Sequence, residues 1–328
     1  MGQKQNPFLG IAAAVGLLVL IFDSSLALEG ARSGVELCIK TVIPALFPFF
    51  VLSMMLTNSC SDPLPYPVQV LTRLLGIPAS ASSLLIPSFL GGYPVGAKCV
   101  GDLYNQKQIS RPEAERLLSF CSNAGPSFLF GMVSGFFPER KMIWLLWFLH
   151  IGSALLTAFV FPHENLCNCD RKPEKKAGNQ PLILSAATAM CAVCCWVILF
   201  RILLFFLKEW FLFLLPAWVQ VLLMGFLELT NGCCELMVIT DVKLRFVLCS
   251  CMLASGGICV LFQTISVTKG LSIQSYIKGK LVQTVFSFLG SIAIVSGKGY
   301  LFAILVLFSV LLFRKIQKRY GNLKSLPV

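Results

Sequence analysis

The feature that most constrains this chain is a series of apolar segments, several as long as the roughly 20 residues that a helix needs to cross a bilayer. They occupy residues 8–28, 41–57, 82–95, 117–137, 142–161, 182–207, 210–230, 246–268, 281–296 and 299–313. Hydrophobic residues make up 56% of the 328 residues and charged residues 13%, which is more apolar surface than one soluble core can bury. The sequence therefore predicts an all-α, polytopic transmembrane protein.

The basic residues indicate which parts of the chain face the cytoplasm. The formal net charge is +12, and in a membrane protein such an excess collects in cytoplasmic loops beside anionic lipid rather than indicating nucleic acid. The only long polar stretch, residues 163–181, contains Arg171, Lys172, Lys175 and Lys176. We predict a cytoplasmic basic linker there, between an N-terminal membrane half (1–162) and a C-terminal membrane half (182–328). The expected partner is the lipid bilayer, with no nucleic acid.

The number of segments after the linker predicts a re-entrant element. The tail also carries a basic cluster, so it is expected in the cytoplasm: Arg314, Lys315, Lys318, Arg319 and Lys324. Five apolar segments separate linker and tail, and an odd number of crossings would place the two on opposite sides. At least one segment with a broken, polar middle is therefore expected to enter and leave by the same side. At the N-terminus, segment 8–28 shows no A-x-A cleavage site and is expected to be a retained span.

The two halves resemble each other weakly. Pro44–Cys60 recurs loosely as Pro216–Cys233, and Cys121–Met132 has a counterpart in Met252–Gln263. This similarity is either chance among apolar segments or an internal repeat. A repeat would place a substrate site near the midplane of the membrane, where the two halves meet.

Two stretches of the first half are expected to break the backbone at membrane depth. They are GGYPVGAK, beginning at Gly91, and SNAGP, beginning at Ser122, and they flank a surface helix that a capping box at Ser110 and Glu113 should start. A broken helix exposes amide groups with partial positive charge at one end and carbonyls at the other. Glycines let the backbone approach a ligand and prolines fix the turns. The candidate substrate-binding residues are Gly91, Gly92, Tyr93, Pro94, Gly96, Lys98, Ser122, Asn123, Gly125 and Pro126.

Charged side chains within apolar surroundings each have two interpretations. Lys98 either attracts an anionic substrate or pairs with Asp102, one helical turn away. Glu228 and Asn231 lie at a polar break in the second half and are further candidate binding residues. Glu228 is either a proton or cation carrier or a carboxylate near the interface. For Arg201 we expect snorkelling toward the headgroups.

Motifs of enzymes and metal sites are missing from the sequence. It contains two histidines and no HExxH, GxSxG or ATP-binding P-loop pattern. Cys167 and Cys169 lie near His163 but lack the second ligand pair that a zinc site needs. We expect a protein that is not an enzyme and that binds no metal or cofactor.

The stretch from Gly91 to Gly131, followed later by GFLELTNG, resembles the sporulation integral membrane proteins of the YlbJ type. The resemblance is dense over the first stretch and weaker in the second half. It implies two nucleoside-recognition gate regions, similar to those of concentrative nucleoside transporters, with one in each half. It also implies a transporter that moves dipicolinate, a small aromatic dianion, across the outer forespore membrane of a spore-forming bacterium. The alternatives are a permease for nucleosides or other small solutes, and an accessory subunit that assembles as an oligomer or with other sporulation membrane proteins.

Overall fold

The computed structural model describes residues 7–59, 66–161 and 181–309, and the regular structure in these ranges is helical throughout. The helices are α1 (Pro7–Phe22), α2 (Ser24–Leu37), α3 (Ile43–Ser59), α4 (Tyr66–Leu74), α5 (Leu85–Leu90), α6 (Val95–Asn105), α7 (Arg111–Leu118), α8 (Arg140–Val160), α9 (Leu182–Trp210), α10 (Ala217–Leu227), α11 (Leu229–Cys234), α12 (Val242–Ser255), α13 (Gly257–Val267) and α14 (Gln274–Val295), followed by α15 (Gly299–Ser309). The predicted all-α class is confirmed. The predicted linker (163–181), apart from its last residue, its cysteine pair and the basic tail lie outside the described ranges.

Within the described ranges, five helical stretches are long and apolar enough to cross a membrane: Ser24–Leu52, Arg140–Val160, Leu182–Trp210, Val242–Val267 and Gln274–Val295. The outer faces of these helices carry large apolar side chains. On α9, for example, Leu199 is 55% exposed whereas Val197 is 2% exposed. Such an outer face suits contact with lipid and is too apolar for water. The prediction of a polytopic membrane protein is thereby confirmed.

Segments 8–28 and 117–137 are among the predicted segments that are not single helices. Segment 8–28 is divided at Asp23, whose carboxylate accepts a hydrogen bond from the Leu26 amide at 3.0 Å and so starts α2. Segment 117–137 leaves the helical conformation after Leu118 and continues as single turns only from Phe128. Its polar and glycine-rich stretch between these residues provides no continuous helical face.

Small residues bring α2 against α9. A β-carbon at Gly30 would lie 3.0 Å from the Ile202 Cα, and one at Gly34 would lie 3.0 Å from the Ile198 Cα. The spacing is the small-xxx-small pattern by which membrane helices approach closely. It lets the N-terminal half dock on the long helix that follows the linker.

Helices α6 and α7 form one helix–turn–helix unit, and α13 and α14 form another. The two units lie side by side in the same direction. Gly101 near the end of α6 meets the carbonyl of Val267 at the end of α13. The Glu115 carboxylate of α7 accepts a hydrogen bond from the Ser272 amide at 2.9 Å, just before α14. Partial burial alone would raise the pKa of Glu115, but this bond and the Arg111 ion pair lower it below its usual range.

A glycine pair lies at the start of each of these two units. Gly91-Gly92 precedes α6, and Gly256-Gly257 opens α13, whose first residue is Gly257. Gly92, Gly256 and Gly257 have φ values of +79°, +73° and +80°. The element order aligns these two glycine pairs, and the correspondence of Cys121–Met132 with Met252–Gln263 stays a prediction.

Helices α10 and α11 form a tight hairpin with Glu228 at its tip. Gly225 and Gly232 face each other across the hairpin, and a β-carbon at Gly232 would overlap the main chain of Gly225. At the open end, the Lys208 ammonium lies 3.1 Å from the Glu235 carboxylate, so the hairpin returns to the level of the end of α9. This is the geometry expected of a segment that enters and leaves by the same side.

Candidate functional site

The chain interruptions of both halves meet at the centre of the described structure. A β-carbon at Gly92 would lie 3.4 Å from the Gly125 amide, and one at Gly257 would lie 3.0 Å from the Gly225 carbonyl oxygen. Tyr93 joins the two groups, because its hydroxyl donates to the Leu253 carbonyl at 2.9 Å. Four breaks in the helices therefore bring main-chain N–H and C=O groups that lie outside regular helical bonding into one region.

A small cavity of about 40 Å³ lies between the interruptions. At roughly 10–15 Å³ for each water molecule, it has room for about three. Its walls come from both halves: Thr41, Val42, Ala45, Leu46, Tyr93, Ala124, Gly125, Phe128, Met132, Val193, Val197, Glu228, Leu229, Thr230, Val260 and Gln263. Of the predicted site residues, Tyr93, Gly125 and Glu228 line this cavity.

Lys280 of α14 is a buried charged residue beside the cavity that sequence reasoning missed. Its side chain is 5% exposed, and its ammonium donates to the Tyr93 hydroxyl at 3.0 Å, to Gln283 Oε1 at 2.8 Å and to the Ser122 carbonyl. The nitrogen also lies 4.9 Å from the centre of the Tyr93 ring, within the range of a cation–π contact.

A sequence signal for Lys280 existed. The buried residues of α14 include a series spaced three or four apart, namely Tyr276, Lys280, Gln283, Ser287 and Ser291. Residues with this spacing share one helix face, and a polar face that turns inward within a membrane helix indicates a site. The predicted apolar segment begins at residue 281 and therefore leaves Lys280 just outside it.

The second break of the first half is held by side chains from other helices. Asn123 accepts a hydrogen bond from Gln283 Nε2 at 3.0 Å and donates to the Phe120 carbonyl at 2.7 Å. The Ala124 amide donates to His150 Nε2 at 3.0 Å. The predicted role of Asn123 as a hydrogen-bonding residue is thus filled by protein partners in this conformation, and Ser122 contributes its carbonyl to Lys280.

Glu228 and Asn231 form a second polar cluster at the hairpin tip. Glu228 is 2% exposed, and its carboxylate accepts from the Thr230 amide at 3.0 Å and from the Asn231 amide at 2.7 Å. Arg201 donates to the Asn231 side chain and to the Ser33 hydroxyl. The expectation that Arg201 snorkels to the headgroups is wrong, because Asn231 and Ser33 hold its guanidinium inside the protein.

The predicted glycines and prolines mainly bring protein segments together. A β-carbon at Gly96 would overlap the Cys121 carbonyl, and one at Gly91 would lie 2.7 Å from the Pro87 carbonyl. Pro94 precedes α6, and Pro126 precedes the turn that begins at Phe128. The backbone approach predicted for a ligand is thus made by protein main chain at Gly91 and Gly96, and Gly125 alone of the predicted glycines also lines the cavity.

Lys98 lies at a separate small cavity. Its ammonium is 2.8 Å from the Asp102 carboxylate, and the two side chains are 27% and 47% exposed. Pro94 and Gln263 line the same cavity as Lys98. The ion pair that was one of its two interpretations is therefore present, and a role for Lys98 in substrate binding stays a prediction.

The described residues contain no cluster of three or more His, Cys, Asp or Glu side chains that could hold a metal ion. The cavity walls instead combine apolar side chains with a carboxylate, a phenol, an amide and two threonines. Such walls can bind an organic solute by hydrogen bonds and ring contacts.

The chain is similar to the sporulation integral membrane protein YlbJ of Bacillus subtilis (strain 168), with 32% identity over 123 residues. The similarity covers 35% of this chain and 29% of the Bacillus protein. No family model matches the chain, and no solved structure matches it. The comparison supports the predicted likeness to YlbJ, whereas the nucleoside-recognition gate stays a prediction.

Proposed function

We propose that this chain is an integral membrane permease for small carboxylate anions, and that its substrate is dipicolinate in a spore-forming bacterium. It would act in the outer forespore membrane and would work as a carrier or channel, without chemistry on the substrate. The similarity to the Bacillus sporulation protein supports the cellular setting. It covers too little of either chain to establish the substrate.

The observation that carries the proposal is the cavity at which interrupted helices from both halves meet. Tyr93 and Gly125 come from the first half, and Glu228 and Thr230 come from the hairpin tip of the second. Main-chain polar groups at membrane depth are tolerated where protein or a water-filled cavity covers them, and this placement is typical of transporter sites. Tyr93 offers an aromatic face to a pyridine ring.

The described conformation is closed. A cavity of about 40 Å³ holds a few water molecules and no ring-sized solute. Passage therefore requires the interruptions of the two halves to separate. The positive φ values of Gly92, Gly256 and Gly257 place conformationally permissive residues at the points where this movement would occur.

A second candidate function is a permease for a neutral solute such as a nucleoside. Thr41, Thr230 and Gln263 line the cavity, and these uncharged groups suit hydroxyl and amide functions. Glu228 at the same wall would repel one carboxylate of a dianion unless a proton or cation accompanied it.

Uptake into liposomes containing the purified protein distinguishes these functions. We expect saturable uptake of labelled dipicolinate and little uptake of uridine. Val197→Phe should abolish uptake because it fills the cavity, whereas Leu199→Phe on the exposed face of α9 should not. Uridine uptake would favour the nucleoside permease. Uptake of neither solute by folded protein would contradict a permease and favour an accessory subunit of a transport complex.

A further inference from the structure

Lys280 is a buried cation without a buried anion beside it. Within the described ranges, no Asp or Glu oxygen lies within the 4.0 Å ion-pair distance of its ammonium. Its three hydrogen-bond acceptors are a phenol, an amide and a main-chain carbonyl. Neutral acceptors compensate a buried charge less well than a carboxylate does, and cations in such positions usually line a substrate or ion pathway.

Two other cations, the partly buried Arg116 and the buried Arg245, show what a structural role looks like in this protein. Arg116 donates to the main-chain carbonyls of Leu75, Gly76 and Phe161. Arg245 donates to the carbonyls of Ile239 and Phe136. Neither arginine lines the central cavity, and each ties chain turns together.

Lys280 differs from these arginines because one of its partners is a side chain of the cavity wall. The Tyr93 hydroxyl accepts from Lys280 and donates to the Leu253 carbonyl, and Tyr93 lines the central cavity. The other two acceptors are fixed, since Ser122 offers main chain and Gln283 is held by Asn123. Tyr93 is therefore the partner that a molecule entering from the cavity would meet first.

We propose that Lys280 is the carboxylate-binding cation of this permease, and that a carboxylate of the ligand takes the place of the Tyr93 hydroxyl on its ammonium group. This inference rests on the proposed function and names the residue that selects anions. The exchange keeps the number of hydrogen bonds to the ammonium and replaces a neutral acceptor with a charged one, which binds more strongly.

The exchange would also couple binding to movement. Displacing Tyr93 breaks its bond to the Leu253 carbonyl, which joins the first glycine pair to the end of α12. The ring also packs on the second glycine pair, because a β-carbon at Gly256 would lie 3.3 Å from it. A carboxylate on Lys280 therefore removes a contact that holds the interruptions of the two halves together.

The first test is direct binding of dipicolinate, and of its uncharged diamide, to purified protein in lipid nanodiscs. Lys280→Met should weaken dipicolinate binding by about 10- to 150-fold, the range for hydrogen bonds to charged groups. Its effect on the diamide should be small. Lys278→Met is the matched control, because Lys278 is exposed on the same helix and its loss should leave both affinities unchanged.

The second test separates ligand binding from a structural role. Tyr93→Phe keeps the ring and removes the competing hydroxyl, so dipicolinate should bind several-fold more tightly, and this gain should vanish in the Lys280→Met background. A purely structural Tyr93–Lys280 bond predicts no gain, and that result would overturn the inference. Equal dipicolinate affinity in wild type and Lys280→Met would also overturn it while leaving the permease proposal intact. If wild-type protein binds no carboxylate, both proposals fall.

Discussion

Gly96 shows how a single residue sets the distance between two interruptions of the chain. It lies where α6 passes the Cys121 carbonyl, and a β-carbon there would overlap main-chain atoms. Main chain at this point cannot turn aside as the end of a flexible side chain can. Glycine is thus required at this position for the close approach of α6 to the main chain of Cys121.

We expect Gly96→Ala to lower the free energy of unfolding by about 1–3 kcal/mol or more, the cost of overpacking. Gly131→Ala provides the control, since a β-carbon at Gly131 meets no atom within 4 Å. Thermal unfolding in detergent measures both. Equal unfolding temperatures for the two variants would show that α6 can shift away from Cys121 without cost.

Glu228 has a structural role at the hairpin tip in addition to any role in binding. Its carboxylate accepts the amides of Thr230 and Asn231 at the start of α11. Glu228→Ala leaves these buried donors without their acceptor, so we expect a loss of about 1–3 kcal/mol in stability. Glu209→Ala, at an exposed position at the end of α9, should have little effect in the same thermal assay. A harmless Glu228→Ala would mean that water replaces the carboxylate.

For helices and turns, the sequence predicts interactions between residues close in the chain and misses pairings between residues far apart in it. The capping box at Ser110 and Glu113 is present and starts α7 as predicted, because both groups lie within one turn. The break at Glu228 was likewise readable from its polar neighbours. The polar face of α14 is a local signal for a buried Lys280, but its partner Tyr93 is 187 residues away. No local pattern specifies that pairing.

Replacing Gly256 of the second glycine pair by alanine should lower stability for two separate reasons, backbone conformation and contact with Tyr93. Gly256 and Gly297 have φ values of +73° and +74°, so alanine at either position incurs the same left-handed penalty of about 1–2 kcal/mol. Only Gly256 faces the Tyr93 ring, whereas a β-carbon at Gly297 meets open space. We expect Gly256→Ala to be less stable than Gly297→Ala and to weaken solute uptake, as measured by thermal unfolding and liposome flux. Indistinguishable variants would rule out a tight Tyr93 contact.

In the molecule as a whole, Arg116 and Arg245 mark opposite ends of the bundle. Arg116 ties Phe161, which immediately precedes the predicted cytoplasmic linker, to the turn after α4. Arg245 ties the turn before α12 to Phe136, just before α8. Since α8 runs between these two ends and is long enough to cross a membrane, the Arg116 end is expected on the cytoplasmic side. The Arg245 end is then expected on the opposite side.

This orientation is the one expected from the count of segments after the linker. If α10 and α11 form a re-entrant hairpin, four crossings are expected there: α9, α12 with α13, α14, and the predicted segment 299–313, of which α15 is the described part. Linker and tail would then both lie in the cytoplasm. Single cysteines test this with a membrane-impermeant maleimide, using the parent chain as background. Cysteines at Phe213 and Asp241, which are exposed on either side of the hairpin, should be labelled from the same side.

A cysteine at Lys269, beyond α13 and also exposed, should be labelled from the opposite face, which is the cytoplasmic one. Labelling of Phe213 and Asp241 from different sides would contradict the hairpin, because α10 and α11 would then complete a crossing. Glu228 would then lie within a membrane crossing and not at the tip of a re-entrant hairpin. The permease proposal would need a different explanation for how the two halves close around the cavity.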